Sequence, residues 1–365
     1  MHANRGWWIP AEDGGPEREY VWPYINSELG FKLFYGGNQK DIQLQRIREH
    51  GCAVIFLDPS VKNFDFLDQF PPRSICVLQV SDETYSTITT IRLLRKDSVS
   101  VLYRDYPTRN LKFITRWPRG TFSLLSKALR MKLSLKLFMR ASVAGIVITF
   151  RQLIMQITSK ALAKKIKHLP LGYTGIFSEE YRRKFNVEKN ESLIDFALKN
   201  SGILNPFNSN SQVFFMGQRG NFDRQLMIEQ AVKAQIHIEK IYSRFGGADE
   251  AGGQIQAASL FVDGLLRSEF SMCPPGNYSA ESFRFLESLL LWSFPLQPPF
   301  VLSDPLFRNS FSINWNNYLK GHGPGSVDSI WRENSIRSAL INLKAKLQQL
   351  ATELGLDSEN REDQN

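Results

Sequence analysis

The stretch that decides the fold is Phe270–Asp304, FSMCPPGNYSAESFRFLESLLLWSFPLQPPFVLSD. Its first apolar run, Phe270-Ser271-Met272-Cys273, predicts a buried strand. Pro274, Pro275 and Gly276 then break the chain into a tight loop. Ser279 is placed to cap a helix, with Glu281 in the first turn, where the helix dipole favours an acid. Phe283, Leu286, Leu289 and Leu290 recur at helical spacing and should face a core. Pro295 is expected to end that helix, and Phe300-Val301-Leu302 to form a second strand. Strand, glycine loop, helix and strand make one βαβ unit of a parallel sheet. Ligands of such sheets bind outside the carboxyl ends of the strands, and a glycine loop before a helix N-terminus suits a phosphate. On pattern alone, an ordinary α/β unit with a surface loop reads equally well.

The residues themselves narrow the choice. The stretch resembles the donor-binding signature of exostosin-like glycosyltransferases, including the ribitol-phosphate xylosyltransferase type. The matching positions, in order, are Ser268, Phe270, Cys273, Pro274, Gly276, Ser282, Arg284, Glu287, Pro295 and Asp304. Two positions depart from the family pattern: Pro275 stands where many relatives have Arg, and Trp292 where a Gly is usual. The first bears on the phosphate contact and the second on the floor of the sugar pocket.

Upstream of the signature, Gln212–Met216 predicts a strand that opens a second sheet. It runs into Gly217-Gln218-Arg219-Gly220-Asn221 and a helix over 222–235. That turn reads either as a solvated helix start or as a second phosphate-facing loop, with Arg219 or Arg224 offering guanidinium donors to a diphosphate. A similar Phe-Phe-x-Gly followed by Arg in the family favours the second. Residues 236–242 read as helix or strand, and 326–354 as one long helix.

The first half alternates strand and helix signals. Strands are expected at 31–35, 53–57, 75–80 and 99–103, with helices near 40–50 and 63–69, while 88–95 fits either state. Asp82-Glu83 after the third strand and Arg104-Asp105-Tyr106 after the fourth are similar to turns of the same family, as is Leu169-Pro170-Leu171-Gly172-Tyr173, which closes the first domain in relatives.

Charge is unevenly spread. The net charge is +9, yet the span from Leu111 to Leu171 alone carries thirteen Lys and Arg and no Asp or Glu, leaving the rest slightly acidic. Residues 121–168 read as a basic, apolar-rich helical stretch. Its longest uncharged run, 141–150, is about half the roughly 20 residues a membrane span needs. Ordinary core helices and an interfacial helix on an anionic membrane surface are the two readings of it. No nucleic-acid partner is expected, because the basic residues alternate with Leu, Ile, Phe and Met rather than with stacking aromatics.

Composition bounds the class. With 42% apolar and 22% charged residues over 365 positions, the chain is globular and long enough for two domains. Cys52, Cys76 and Cys273 have no metal-ligand spacing, and the first two lie in apolar strand-like runs, so buried reduced thiols and a cytoplasmic setting are expected. The scattered histidines give no metal site, and the polar N-terminal segment MHANRGWWIPAEDGG lacks the apolar core of a signal peptide.

Together these readings predict an α/β protein with two Rossmann-like domains facing a central cleft, of the GT-B type. An N-terminal acceptor-side domain would cover 1–195, with the basic helical insertion at about 121–168. An interdomain linker is expected near 200–210. A nucleotide-sugar-binding domain would cover 210–325, and a C-terminal helix, 326–354, would cross back to the first domain before a disordered tail, 355–365. The resemblance implies transfer of a sugar from a nucleotide-linked donor, UDP-linked by expectation, to a hydroxyl of a glycan or lipid-linked acceptor. The work would be done in surface glycan or polysaccharide synthesis by a cytoplasmic enzyme able to lie at the membrane surface through 111–168. It implies an inverting, metal-independent reaction without a separate cofactor, with Glu287 on the ribose. Gly217, Arg219, Arg224, Gly276, Asn277, Ser282 and Arg284 would stand around the rest of the donor. Asp82 or Glu83 would be the base. The rival class is a non-catalytic nucleotide-binding or membrane-surface module on the same scaffold, which Pro275 and Trp292 would favour.

Overall fold

In the computed structural model of the protein, which describes residues 8–9, 21, 24, 53–56, 64–79, 87–104, 162, 164–189, 191–204, 213–218, 222–236, 240–242, 254–274, 282–298, 307, 311, 313–321 and 328–353, every strand pairing is parallel and the strands alternate with helices. The fold is mixed α/β. Contacts group the chain into two units. The first comprises Met1–Thr108, Arg151–Gly172 and Lys344–Asn365, and the second Arg109–Phe150 and Tyr173–Leu343.

The first unit is built on five strands: β1 (Trp8–Ile9), β2 (Ala53–Phe56), β3 (Ile75–Gln79), β4 (Val99–Arg104) and β5 (Ile166–His168). They lie side by side in the order of the chain, β1-β2-β3-β4-β5. A 3-10 turn over Asp65–Gln69 precedes β3, and α1 (Thr87–Leu94) joins β3 to β4. Strand order that never reverses places right-handed crossovers on one face of the sheet. Phe64, Leu67 and Phe70 accordingly pack with Leu93 and Leu94 of α1 over Ile75, Val77, Val99 and Leu102. Cys76 and Leu78, which alternate onto the opposite face, are buried as well. Burial on both faces is what the unbroken apolar run of β3 requires.

The ambiguous segment 88–95 is helix. The end of the basic stretch differs from expectation: Ile166–His168 is a strand, paired with Leu102–Arg104, rather than the close of a helix. The reason lies in the preceding residue. Lys165 turns its ammonium onto the carbonyls of Leu94 at 3.2 Å and Val99 at 2.7 Å, which ties the start of β5 to the α1–β4 turn. The expected strand at 31–35 and the helix near 40–50 lie outside the described residues.

The second unit opens with α2 (Gly175–Phe185), α3 (Leu193–Lys199) and the short α4 (Ser201–Leu204). The first domain was expected to run to 195; contacts group 173–195 with this unit. Aromatic side chains four apart, Tyr173, Phe177, Tyr181 and Phe185, form a continuous stripe down α2, and Phe177 meets Phe261 edge-on. That stripe gives α2 a buried face despite its five charged residues.

Then come β6 (Val213–Phe214), β7 (Met216–Gln218), α5 (Phe222–Lys233), β8 (Lys240–Tyr242), α6 (Gln254–Leu266), β9 (Phe270–Met272), α7 (Phe283–Leu290), β10 (Phe294–Leu296), α8 (Trp315–Leu319) and α9 (Ser329–Glu353), whose residues from Lys344 onward group with the first unit. β6 and β7 are one extended segment interrupted at Phe215. Its first part pairs with β9, and its second part pairs with β8. The described strands thus form two sheets, β10-β9-β6 and β7-β8, joined through Phe215. The chain runs from β7 out to β8 and then returns to place β9 against β6. That reversal is a topological switch point, between β6/β7 and β9.

The described part of the signature stretch folds as a βαβ unit whose second strand is β10; the strand expected at 300–302 lies outside the described residues. Ser279 lies outside the described residues, and α7 starts at Phe283 with Ser282 at the N-cap position. Phe285, Leu286, Leu289 and Leu290 are its buried apolar residues; Phe283 is only partly covered. Pro295 does not end the helix but sits inside β10, opposite Ser271. Proline is tolerated because β10 pairs on one side only among the described strands. The helix ends instead in a Schellman turn: Ser293 N–H donates to Ser288 O at 3.0 Å and Trp292 N–H to Leu289 O at 3.1 Å. The left-handed residue of that turn is Trp292, at φ 58°. Its indole is fully buried, donates to Ala197 O at 3.0 Å and lies under the Arg337 guanidinium.

Among the described residues no helix is long and apolar enough to cross a membrane.

Candidate functional site

The carboxyl ends of β7 and β9 each lead into a helix that carries an arginine in its first turn: Arg224 on α5 and Arg284 on α7. A cation at a helix N-terminus is unfavourable by about 0.3–1 kcal/mol, since the dipole there is positive. Both side chains are nevertheless turned inward. Arg224 is 8% exposed. Arg284 donates from Nη2 to Met216 O at 3.1 Å, lies 5.5 Å from the Phe215 ring centroid, and its Nε finds no partner among the described residues. The guanidinium of α7 thus rests on Met216, the first residue of β7.

Burial, and then repulsion from Arg284, push the Arg224 guanidinium down to about 9. Burial likewise lowers Arg284, with Glu287 opposing it. Arginine stays protonated in proteins, so these pressures appear as an energetic cost of burying the two cations near each other. An anion between the two guanidinium groups would relieve it.

Gly217 has a more specific role than a flexible phosphate loop. A Cβ there would meet Arg284 Nη2 at 2.5 Å and the Phe215 ring at 3.2 Å. The bare backbone at 217 is what allows Arg284 to seat on Met216 O.

Glu287 sits one turn further along α7 and is 3% exposed. Its Oε1 accepts from Thr174 N–H at 3.0 Å and from Thr174 Oγ1–H at 2.8 Å. Burial raises its acidity range, while the two Thr174 bonds and Arg284 pull it back toward the ionised form. Thr174 is the N-cap of α2, whose first turn has no acid of its own. Ser282 is buried at the head of α7, and its hydroxyl caps none of the described amides.

Beneath these groups a buried chain of Ser271, Ser288 and Cys273 joins β9 to α7. Ser288 Oγ donates to Ser271 Oγ at 2.9 Å, and Cys273 Sγ lies 3.6 Å and 3.5 Å from the two hydroxyls. Burial pushes the Cys273 thiol up to about 11, so it is a packing group and not a nucleophile. Cys76 and Cys273 are both buried and outside any disulfide.

The structure therefore brings Gly217, Arg224, Ser282, Arg284 and Glu287 into one unit, around the helices that follow β7 and β9. Arg219, Gly276, Asn277, Asp82 and Glu83 lie outside the described residues. Sequence reasoning missed Thr174 and the Met216 carbonyl. A Thr directly before a helix is a cap signal; the backbone carbonyl left no signal in the residue types. A cavity of about 990 Å³ in the first unit, lined by Asp65, Asp68, Arg92, Arg95 and Lys96, lies at the amino end of β4. Lys96 already pairs there with Asp65 at 3.2 Å and Asp68 at 2.5 Å. It is the less suitable site, since parallel sheets bind at the opposite end. Among the described residues no three His, Cys, Asp or Glu side chains gather as metal ligands do.

No protein-family model matches the chain, and no curated protein matches it.

Proposed function

We propose that this chain is a glycosyltransferase of the GT-B type that uses a nucleotide-sugar donor. The observation that carries the reading is the placing of two inward-turned first-turn arginines, Arg224 and Arg284, beside Glu287 at the switch point of a parallel sheet. The arrangement suits a nucleoside diphosphate. The guanidinium groups and the N-terminus of α7 meet the diphosphate and stabilise the charge that develops on it as the glycosidic bond breaks. Glu287 offers a carboxylate oxygen to the ribose hydroxyls. The signature positions on these same elements, among them Ser282, Arg284 and Glu287, support the same assignment.

In this reading the other domain faces the donor across a cleft and supplies the base, Asp82 or Glu83, to an acceptor hydroxyl in an inverting transfer. The acceptor is a surface glycan or its lipid-linked precursor. The enzyme is cytoplasmic and reaches the acceptor by lying on an anionic membrane through 111–168.

The test is thermal denaturation with pyrophosphate and with the common nucleoside diphosphates, followed by transfer assays across the matching nucleotide sugars. A ligand present at about 100 times its Kd stabilises by about 2.7 kcal/mol. The expected result is a raised Tm with one nucleoside diphosphate above the rest, and turnover of its sugar. No shift with any of them rejects the donor site. Binding without turnover leaves a nucleotide-binding module.

A further inference from the structure

Glu287 does not stand alone in its pocket. Both hydrogen bonds it receives come from one residue of another helix, and both go to the same carboxylate oxygen, Oε1. The Thr174 hydroxyl is itself oriented, because the same Oγ1 accepts from Phe177 N–H in the first turn of α2. Thr174 thus fixes the carboxylate by its backbone and its side chain while it caps α2.

We propose that Thr174 is a positioning residue for Glu287: it holds Oε1 so that Oε2, which takes neither bond, is turned to the ribose hydroxyls of a nucleoside diphosphate. The inference rests on the donor-site reading above. A carboxylate buried to this degree can rotate or take up a proton, and either change removes the acceptor a diol needs. Two donors on one oxygen oppose both changes. The positive end of the α2 dipole, aimed at the same oxygen, acts in the same direction. The other groups that act on Glu287 are Arg284 on its own helix, which favours the ionised form, and the Cys273 thiol at the end of β9, which stays protonated across the neutral range. The first turn of α2 brings no acid against it.

Three proteins test this: wild type, Thr174→Val and Thr174→Ser. Valine keeps the shape and the backbone N–H but loses the hydroxyl; serine keeps the hydroxyl and the cap. The first readout is affinity by calorimetry for uridine diphosphate, or the nucleoside diphosphate that gives the largest thermal shift, and for its 2′,3′-dideoxy analogue. The expected result is a loss of about tenfold for the ribose form in Thr174→Val, recovery in Thr174→Ser, and little loss for the dideoxy form in either. A loss of equal size for both ligands overturns the proposal, because a merely loosened α2 would weaken them alike. The second readout needs no ligand: the Glu287 carboxyl is titrated by carbon-detected NMR, with Glu287→Gln identifying the signal. Its titration should move to higher pH in Thr174→Val, and an unmoved titration overturns the proposal. If wild type binds no nucleoside diphosphate but the titration still moves, the donor-site reading fails while the hold of Thr174 on Glu287 stands.

Discussion

Gly217 and Arg284 are separated by less than one carbon atom: a methyl on residue 217 would lie 2.5 Å from Arg284 Nη2. The contact is with the end of a long side chain, so the chain can fold around it, but only by lifting the guanidinium off Met216 O. Gly217→Ala should therefore change folding stability by no more than about 1 kcal/mol. It should weaken nucleoside diphosphate binding by about 1.5–3 kcal/mol, the usual size of a lost hydrogen bond to a charged group. Calorimetry on the alanine variant checks this. Unchanged affinity would remove Arg284 from the anion site.

Glu287 should cost stability at neutral pH. Burial raises its folded-state range above the unfolded value near 4.5. The native state therefore binds more protons than the unfolded state between those two values, and stability contributed by this group falls as pH rises through that window. Glu287→Gln, which can still accept from Thr174 through its amide oxygen, removes that dependence. We expect the variant to match or exceed wild-type stability at pH 7.5, by up to about 2 kcal/mol, while nucleotide affinity drops. Urea melts at pH 5 and 7.5 decide it. A less stable glutamine variant at pH 7.5 would mean that the ionised carboxylate serves the fold.

Trp292 occupies the left-handed position of the turn after α7, where glycine costs least. The strain is on the order of 1–2 kcal/mol. Removing a buried Trp side chain costs about 3–5 kcal/mol, and the bond to Ala197 O goes with it. Trp292→Gly should thus destabilise by roughly 2–4 kcal/mol, despite restoring the residue the backbone prefers. A denaturation midpoint at or above that of wild type would show that the indole contributes little.

Lys164 and Lys165 are adjacent but unlike. Lys164 is exposed, whereas Lys165 gives its ammonium to two carbonyls. Lys165→Glu should destabilise the first unit by about 1–3 kcal/mol, by leaving those acceptors unmatched, and Lys164→Glu should be close to neutral. The membrane proposal is accordingly tested with Lys164→Glu alone: it should reduce co-sedimentation with anionic vesicles, by about 1 kcal/mol of binding, and leave the melting temperature in place. Equal sedimentation with neutral vesicles would sink the electrostatic account.

How much of this was legible depended on which forces carried each element. Strands β3 and β4 were read within a residue or two because unbroken apolar runs fit a doubly buried parallel strand. α2 was not, because its aromatic stripe repeats every four residues among charges and no short window looks apolar. Pro295 misled for a similar reason. Proline forbids helix and central strand, but β10 pairs on one side only among the described strands, and that is a property of the sheet rather than of the residue. In the candidate site, Arg284 and Glu287 were proposed from the family resemblance, and Arg224 from its place in the helix start after Gly217. Thr174 was not, since its role depends on bringing together positions 113 residues apart.

The interruption at Phe215 also sets an order of assembly. Met216–Gln218 pairs with Lys240–Tyr242, only a helix away, whereas Val213–Phe214 waits for Phe270–Ser271, more than twice as far along the chain. Closing the shorter loop has the smaller entropic cost. The β7–β8 pair should therefore form early and hold Val213–Phe214 extended as a ready template, on which β9 docks late. In kinetic terms, conservative truncation at Ile241 should slow refolding, while truncation at Met272 should chiefly hasten unfolding. The switch point would then be completed by the last strand to arrive, so the anion cluster would come into being only as the unit closes.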